Sequence, residues 1–291
     1  MIPLDQLEAY LDGPALVAGL AGFGLVVGVL TGLFGVGGGF MVTPMLRLLF
    51  GINFALAVGS SLCFTIGVSS SGAARHARLR NFEPRSMIVL ALTSMLGAQV
   101  GGEGNAILQE SLGAYYDLTM KGLFIVLLAG TAAILFRGRP EHATKRSLLQ
   151  RMPLGPRLDL PRADRPGVSL TGLMLVGIAI GLLTGLMGIG GGVLFMPLLV
   201  LVVGLTPHQA VGTSLGVVVF SSISGTVKYG LAEHVSLWVA LSLLIGAAIG
   251  VQIGAWVSTK LHDAHLRRYF ALLVLGVVTW LAVSFGLQVA G

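Results

Sequence analysis

Hydrophobic positions in this chain run in long unbroken stretches rather than alternating with polar ones. Stretches near the roughly 20 residues a bilayer requires predict full spans at 14–34, 54–74, 86–108, 117–136, 168–187, 208–227, 235–258 and 269–289. Two shorter apolar pieces, 40–50 and 193–204, each follow a glycine run, and the only long polar stretch is 137–167. The pattern predicts an all-α polytopic membrane protein. Helices satisfy their own backbone groups, which hydrocarbon cannot do for them.

The chain also repeats itself. Thr31-Gly32-Leu33-Phe34-Gly35-Val36-Gly37-Gly38-Gly39 returns 153 residues later as Thr184-Gly185-Leu186-Met187-Gly188-Ile189-Gly190-Gly191-Gly192, and each copy is followed at the same distance by a proline, Pro44 or Pro197. The offset holds without a gap. Val58-Gly59-Ser60-Ser61 pairs with Val211-Gly212-Thr213-Ser214, Arg75 with Lys228, and Gly97, Gln99 and Gly101 with Gly250, Gln252 and Gly254. Chance apolar similarity exchanges Leu for Val, but it does not keep Gly, Ser, Gln and Pro in register. We read two transmembrane repeats, 14–136 and 168–289, joined by a basic linker, 137–167.

Lysine and arginine set the expected orientation, because cytoplasmic loops are enriched in both. They cluster at 75–85, in the linker, and at Lys260, Arg267 and Arg268. All three loops share one side only if each repeat changes side an odd number of times, which makes the repeats inverted. The second-half counterpart of the 75–85 loop, Lys228–Val235, lacks the basic excess and is expected outside. The parity is the same whether the first two segments of each half cross separately or form a re-entrant hairpin.

Three consecutive glycines, with others just before, break a helix, since each costs roughly 1 kcal/mol relative to alanine. Freed backbone survives at membrane depth only inside protein or along a cavity. The short helix after each run therefore begins at Gly37–Gly39 or Gly190–Gly192 with unpaired N–H groups and a dipole that favour an anion. In inverted halves two such ends converge. The competing reading is close helix packing, which small residues also permit. No Gly-x-Gly-x-x-Gly nucleotide fingerprint is completed, because Phe40 stands at its last position.

Further candidates come in duplicated pairs. Ser60 and Ser61, with Thr213 and Ser214, can donate to an oxyanion or can join helices. Gln99 and Gln252 can bind substrate or lock spans together. Arg75 and Lys228 mark span ends that inversion places on opposite faces, as cations at the two mouths of a pathway; for Arg75, interfacial snorkelling is the simpler reading. Arg47, Glu103, Glu110, Asp117 and Lys121 fall on the expected outer side as solvated groups. His76, His208 and His234 lie near span ends with no carboxylate at ligand spacing.

Composition narrows the function. Only 10% of residues are charged, against about 25% in soluble domains, and mean hydropathy is +0.90. The formal charge of +6 is a topology signal, since no basic run interleaves with aromatics as on a nucleic-acid surface. The first residues carry no basic region, which argues against a cleaved signal peptide. One cysteine, Cys63, excludes an intrachain disulfide and a cysteine metal centre. No metal or cofactor is expected. Ser224 has no paired in-span histidine to make an enzyme nucleophile, and no span holds an acidic pair for proton relay.

The two glycine runs with Pro44 and Pro197, and the Val58–Ser61 and Val211–Ser214 stretches, together resemble the TauE/SafE sulfite and sulfonate transporter family. The resemblance covers nearly all of the chain beyond its first residues and the linker. It implies a multi-pass bacterial inner-membrane secondary transporter of small sulfur-containing oxyanions. An anion channel on the same scaffold and a carrier of non-sulfur carboxylates are the alternatives. The expected partners are the oxyanion and the bilayer, without nucleic acid. The long Arg-rich linker departs from the pattern, and neither the transported anion nor the oligomeric state follows from the sequence.

Overall fold

The structure is a computed structural model that describes residues 14–137, 155–160 and 167–290. The first half contains α1 (Pro14–Phe34), α2 (Gly39–Phe50), α3 (Phe54–Arg78), α4 (Pro84–Leu112) and α5 (Tyr116–Arg137). The second contains α6 (Leu170–Met187), α7 (Gly192–Val203), α8 (Pro207–Leu231), α9 (Leu237–Ser258) and α10 (Asp263–Ala290). Eight of these are long and apolar enough to cross a membrane, and α2 and α7 are the two short ones. This is a polytopic, all-α membrane architecture. The spans begin and end where the apolar stretches predict, with polar turns added: α3 continues to Arg78, and α10 starts at Asp263 rather than 269.

The two halves repeat in backbone detail. Helices α3 and α8 are capped by Asn53 and Thr206, and α4 and α9 by Glu83 and Ser236, each pair one repeat apart. Different side chains do the same work, because an N-cap asks only for an acceptor near the first free N–H groups. Gly51 and Gly204 end α2 and α7 in the left-handed region.

Packing follows glycine ladders. Gly24, Gly28 and Gly32 of α1 meet α9, whose Gly246, Gly250 and Gly254 face back. A Cβ on Gly24 would stand 1.9 Å from the Leu243 carbonyl oxygen. Exchanging the halves gives the second ladder, Gly97 and Gly101 of α4 against Gly177, Gly181 and Gly185 of α6. Such spacing lets helix backbones touch, which raises dispersion where apolar burial drives nothing. The opposite faces carry bulk: Ile88, Leu92, Leu96 and Val100 on α4, and Leu241, Ile245 and Ile249 on α9, are exposed.

Helices α3 and α8 pack against each other at the centre. Gly72 meets Leu215 and Gly225 meets Leu62, so the two run antiparallel. Both are mostly buried inside the protein.

Most of the 137–167 linker lies outside the described residues, including Arg139, Lys145, Arg146, Arg151, Arg162 and Arg165. Its described part departs from a featureless polar loop. Arg157–Leu158 (β1) pairs antiparallel with Val168–Ser169 (β2), Leu160 and Val168 are buried, and Arg85 donates to the Asp159 carbonyl at 2.7 Å.

Candidate functional site

The glycine runs leave α1 and α6 through left-handed residues. Gly35 and Gly188 have φ of 73° and 68°, Gly37 and Gly190 of 71° and 72°, and Gly38 and Gly191 of 78° and 76°. Few side chains tolerate that region, so the sequence and the break explain each other. The runs pass through the protein interior and are buried throughout.

The two runs touch. A Cβ on Gly39 would lie 2.6 Å from the Gly188 carbonyl oxygen, and one on Gly192 would lie 2.4 Å from Val36 backbone atoms. Gly37 and Gly190 both face Thr65 and Val218. These two residues stand near the midpoints of α3 and α8, each 25 residues long. The structure therefore brings Gly37–Gly39 and Gly190–Gly192 together in a crossing between the central helices. The short helices α2 and α7 lead away from it, with their N-termini at the crossing.

Side chains tie down several of the carbonyls released by the breaks. Ser214 Oγ donates to the Gly35 carbonyl at 2.8 Å, and Ser61 Oγ to the Gly188 carbonyl at 3.2 Å. Thr43 joins the latter group, 3.0 Å from Gly188 oxygen and 2.6 Å from Ser61 Oγ. His76 Nε2 donates to the Gly32 carbonyl at 3.1 Å, and Tyr229 Oη donates to the equivalent Gly185 carbonyl at 2.9 Å. Asn105 takes the Leu186 carbonyl at 2.7 Å.

The N–H groups at the starts of α2 and α7 are open. Among the described residues, the N–H groups of Gly37, Gly38, Gly39 and Phe40, and of Gly190, Gly191, Gly192 and Val193, donate to no protein atom. The Gly35 and Gly188 carbonyls are covered, whereas those of Val36, Gly37, Ile189 and Gly190 accept from no protein atom among the described residues; the positive partial charge at the crossing comes from the open N-terminal N–H groups of α2 and α7. A buried N–H without a partner is costly, and a ligand with acceptor oxygens would relieve it.

The other sequence candidates fall elsewhere. Ser60 accepts from Ser236 N, and Thr213 accepts from Glu83 N, both at 2.9 Å. Each thereby anchors the start of a helix in the opposite half. Gln99 reaches Ser224 Oγ, and Gln252 reaches the equivalent Ser71 Oγ, each at 3.0 Å. Both glutamines are exposed at helix contacts. Lys228 pairs with Glu103 and lays its stem on Gly102, while Arg75 is half-buried at the end of α3.

Of the polar residues expected to be solvated, Lys121 is buried and Arg47 and Asp117 are only partly exposed. Arg47 pairs with Asp117, and Lys121 is 9% exposed beside them, because α2 and α5 close over that end of the core. A cavity of about 280 Å³ opens there, lined by Arg47, Asn53, Phe54, Gln109, Tyr116 and Asp117. His208 lies between Asp263 and the Ser258 carbonyl. No group of three metal-ligating side chains occurs among the described residues.

Sequence reading passed over His76, Tyr229, Thr43 and Asn105 as braces of the breaks. The signal for the first two was present, since they are one repeat apart, but His and Tyr look unalike until both are seen serving the same carbonyl.

Known proteins are similar to this chain over most of their length. A probable membrane transporter protein of Methanocaldococcus jannaschii is 29% identical over 84% of this chain and 87% of its own length. A probable membrane transporter protein of Xylella fastidiosa is 28% identical over 89% and 92%, and one from Bacillus subtilis 24% identical over 82% and 87%. No solved structure matches. A sequence model of the sulfite exporter TauE/SafE family matches residues 20–281, which takes in all or most of each of the ten helices just described; the chain belongs to that family, and is a multi-pass membrane transporter and not an enzyme.

Proposed function

We propose that this protein is a secondary transporter of small sulfur-containing oxyanions, such as sulfite or organosulfonates, which bind where the glycine runs cross. The observation that carries the reading is the meeting of two helix N-termini at the crossing, with the N–H groups of Gly37–Phe40 and Gly190–Val193 left without protein acceptors among the described residues. Compact oxyanions match such donors. The name of the matched family supplies the sulfur chemistry.

The halves act as inverted repeats. Support comes from the antiparallel packing of the equivalent helices α3 and α8 and from the basic loops, which fall on one side under that arrangement. Thr65 and Val218 methyl groups fill the space between the runs. Binding moves them apart, and rocking of one half against the other exposes the site to either side in turn.

Two measurements test this. Thermal-shift titration of the purified protein with sulfite, sulfoacetate, taurine, isethionate, thiosulfate and carboxylate analogues should show stabilisation by at least one sulfur oxyanion. Stabilisation by carboxylates alone overturns the substrate assignment. In proteoliposomes, uptake should saturate and be driven by counter-substrate; linear flux without counter-transport makes the protein a channel.

A further inference from the structure

Ser69 on α3 and Ser222 on α8 are one repeat apart and fully buried. Among the described residues, neither hydroxyl has a hydrogen-bond partner. Thr226 on α8 and Thr31, beside Gly38, are also unpartnered, whereas Thr65 and Ser221 bond carbonyls of their own helix, Ser214 the Gly35 carbonyl, and Ser224 the Met95 carbonyl. A buried hydroxyl without a partner is costly and uncommon, and here the exception occurs twice at equivalent positions. Ser69 Oγ lies 3.0 Å from where a Cβ on Gly37 would sit, against the run whose N–H groups are open.

The surroundings are neutral. Gly37 and Gly38 face Val27, Thr31, Phe64, Thr65, Ser69 and Val218. The lysine and arginines of α3 and α8 are confined to their last turns, His208 in the first turn of α8 contacts Asp263, and α1, α6 and α9 contain no charged residue. Positive potential at the crossing therefore comes from the N-termini of α2 and α7, each worth about half a unit charge. Their sum is about one.

We propose that Ser69 and Ser222 are the side-chain ligands of the transported oxyanion, one from each half, and that the site selects singly charged ions over doubly charged ones. This rests on the oxyanion reading above. Two helix ends and two hydroxyls balance one negative charge. A second charge raises the desolvation cost roughly fourfold, as the square of the charge, and finds no cationic side chain.

The test is calorimetric titration of the full chain in lipid nanodiscs, at constant ionic strength, with methanesulfonate (a permanent monoanion) and sulfate (a dianion). Methanesulfonate should bind at least about tenfold more tightly than sulfate. Ser69→Ala and Ser222→Ala should each weaken methanesulfonate about tenfold, the loss expected for one hydrogen bond to a charged group. Melting of the ligand-free variants should be unchanged or slightly raised, because each substitution removes an unpaired buried hydroxyl. Sulfate binding as tightly as methanesulfonate overturns the charge selection, and needs no variant. Unchanged affinity in both alanine variants overturns the ligand assignment. If the unsubstituted protein binds neither anion, the oxyanion reading itself falls.

Discussion

The two short helices are alike where they begin and different where they end. At their N-termini, Gly38 and Gly191 share a backbone conformation to within a few degrees, and both helices carry a proline in the same place. At its far end α2 presents Arg47, paired with Asp117 and close to Lys121. The equivalent positions near α7 are Val200, Phe270 and Val274, all buried and apolar, and that helix finishes as a π-turn over Leu199–Val203. The duplicated end points at the centre, where the two halves touch. The diverged ends point toward opposite faces, so each has only its own surroundings to satisfy. Symmetry is kept where the two halves meet and lost where they do not.

The largest effects should come from forcing the crossing apart. Gly39→Ala and Gly192→Ala each drive a methyl group into the backbone of the other run, which cannot yield as a flexible side chain can. Each should lower stability by about 1–3 kcal/mol and abolish transport. Melting of both variants in the same detergent checks it, and a large loss in one but not the other would break the equivalence of the two halves.

Gly38→Ala and Gly191→Ala come next. Both positions hold left-handed backbone, which costs an L-residue about 1–2 kcal/mol. The added Cβ meets Val27 at 2.6 Å and Phe195 at 2.7 Å, both movable side chains. Folded protein should remain, with oxyanion affinity reduced because the run no longer holds its path. Affinity per folded molecule is the quantity to measure; if it is unchanged in both variants, the runs are a packing seam.

The diverged ends give a smaller and one-sided effect. Arg47→Gln should cost no more than about 1 kcal/mol of stability, since the pair with Asp117 is partly exposed and screened. It should weaken transport started from the face that the Arg47 cavity opens to, more at low salt than at high. Transport started from the opposite face should be unaffected. Oriented vesicles separate the two, and an equal loss in both directions would mean that Arg47 supports the fold rather than the approach of the anion.

The smallest effect is expected from Gln99→Leu and Gln252→Leu. Each removes hydrogen bonds between helices, worth about 0.6 kcal/mol in membranes. Melting temperature should fall slightly and equally in the two variants, with substrate affinity retained. Loss of affinity at unchanged melting would return the glutamines to the binding site.

These expectations also mark how far the sequence could be read. The spans were legible because hydrocarbon demands long apolar runs, and the breaks because glycine triplets have few uses at that depth. The hydroxyls were not. Ser60, Ser61 and Ser69 look equivalent as letters, yet Ser60 accepts from Ser236 N, Ser61 covers the Gly188 carbonyl, and Ser69 faces the open run. A hydroxyl's role is set by its partner, here in the other half of the chain or in the run itself. The same holds for Lys121, whose burial depends on how α5 closes over α2. The glycine ladders were legible at i, i+4 spacing, but which ladder faces which requires the fold.

That pairing has a consequence for how the protein is made. Each ladder joins helices from different halves, α1 to α9 and α4 to α6. When synthesis has reached the linker, α1 and α4 are already in the membrane with their bare glycine edges turned toward lipid. Neither closes until the second half arrives: α6 first, beside α4, and α9 last, beside α1. The first half is therefore an open clasp for part of its life. Assembly is completed by nearly the last span to be inserted rather than helix by helix along the chain.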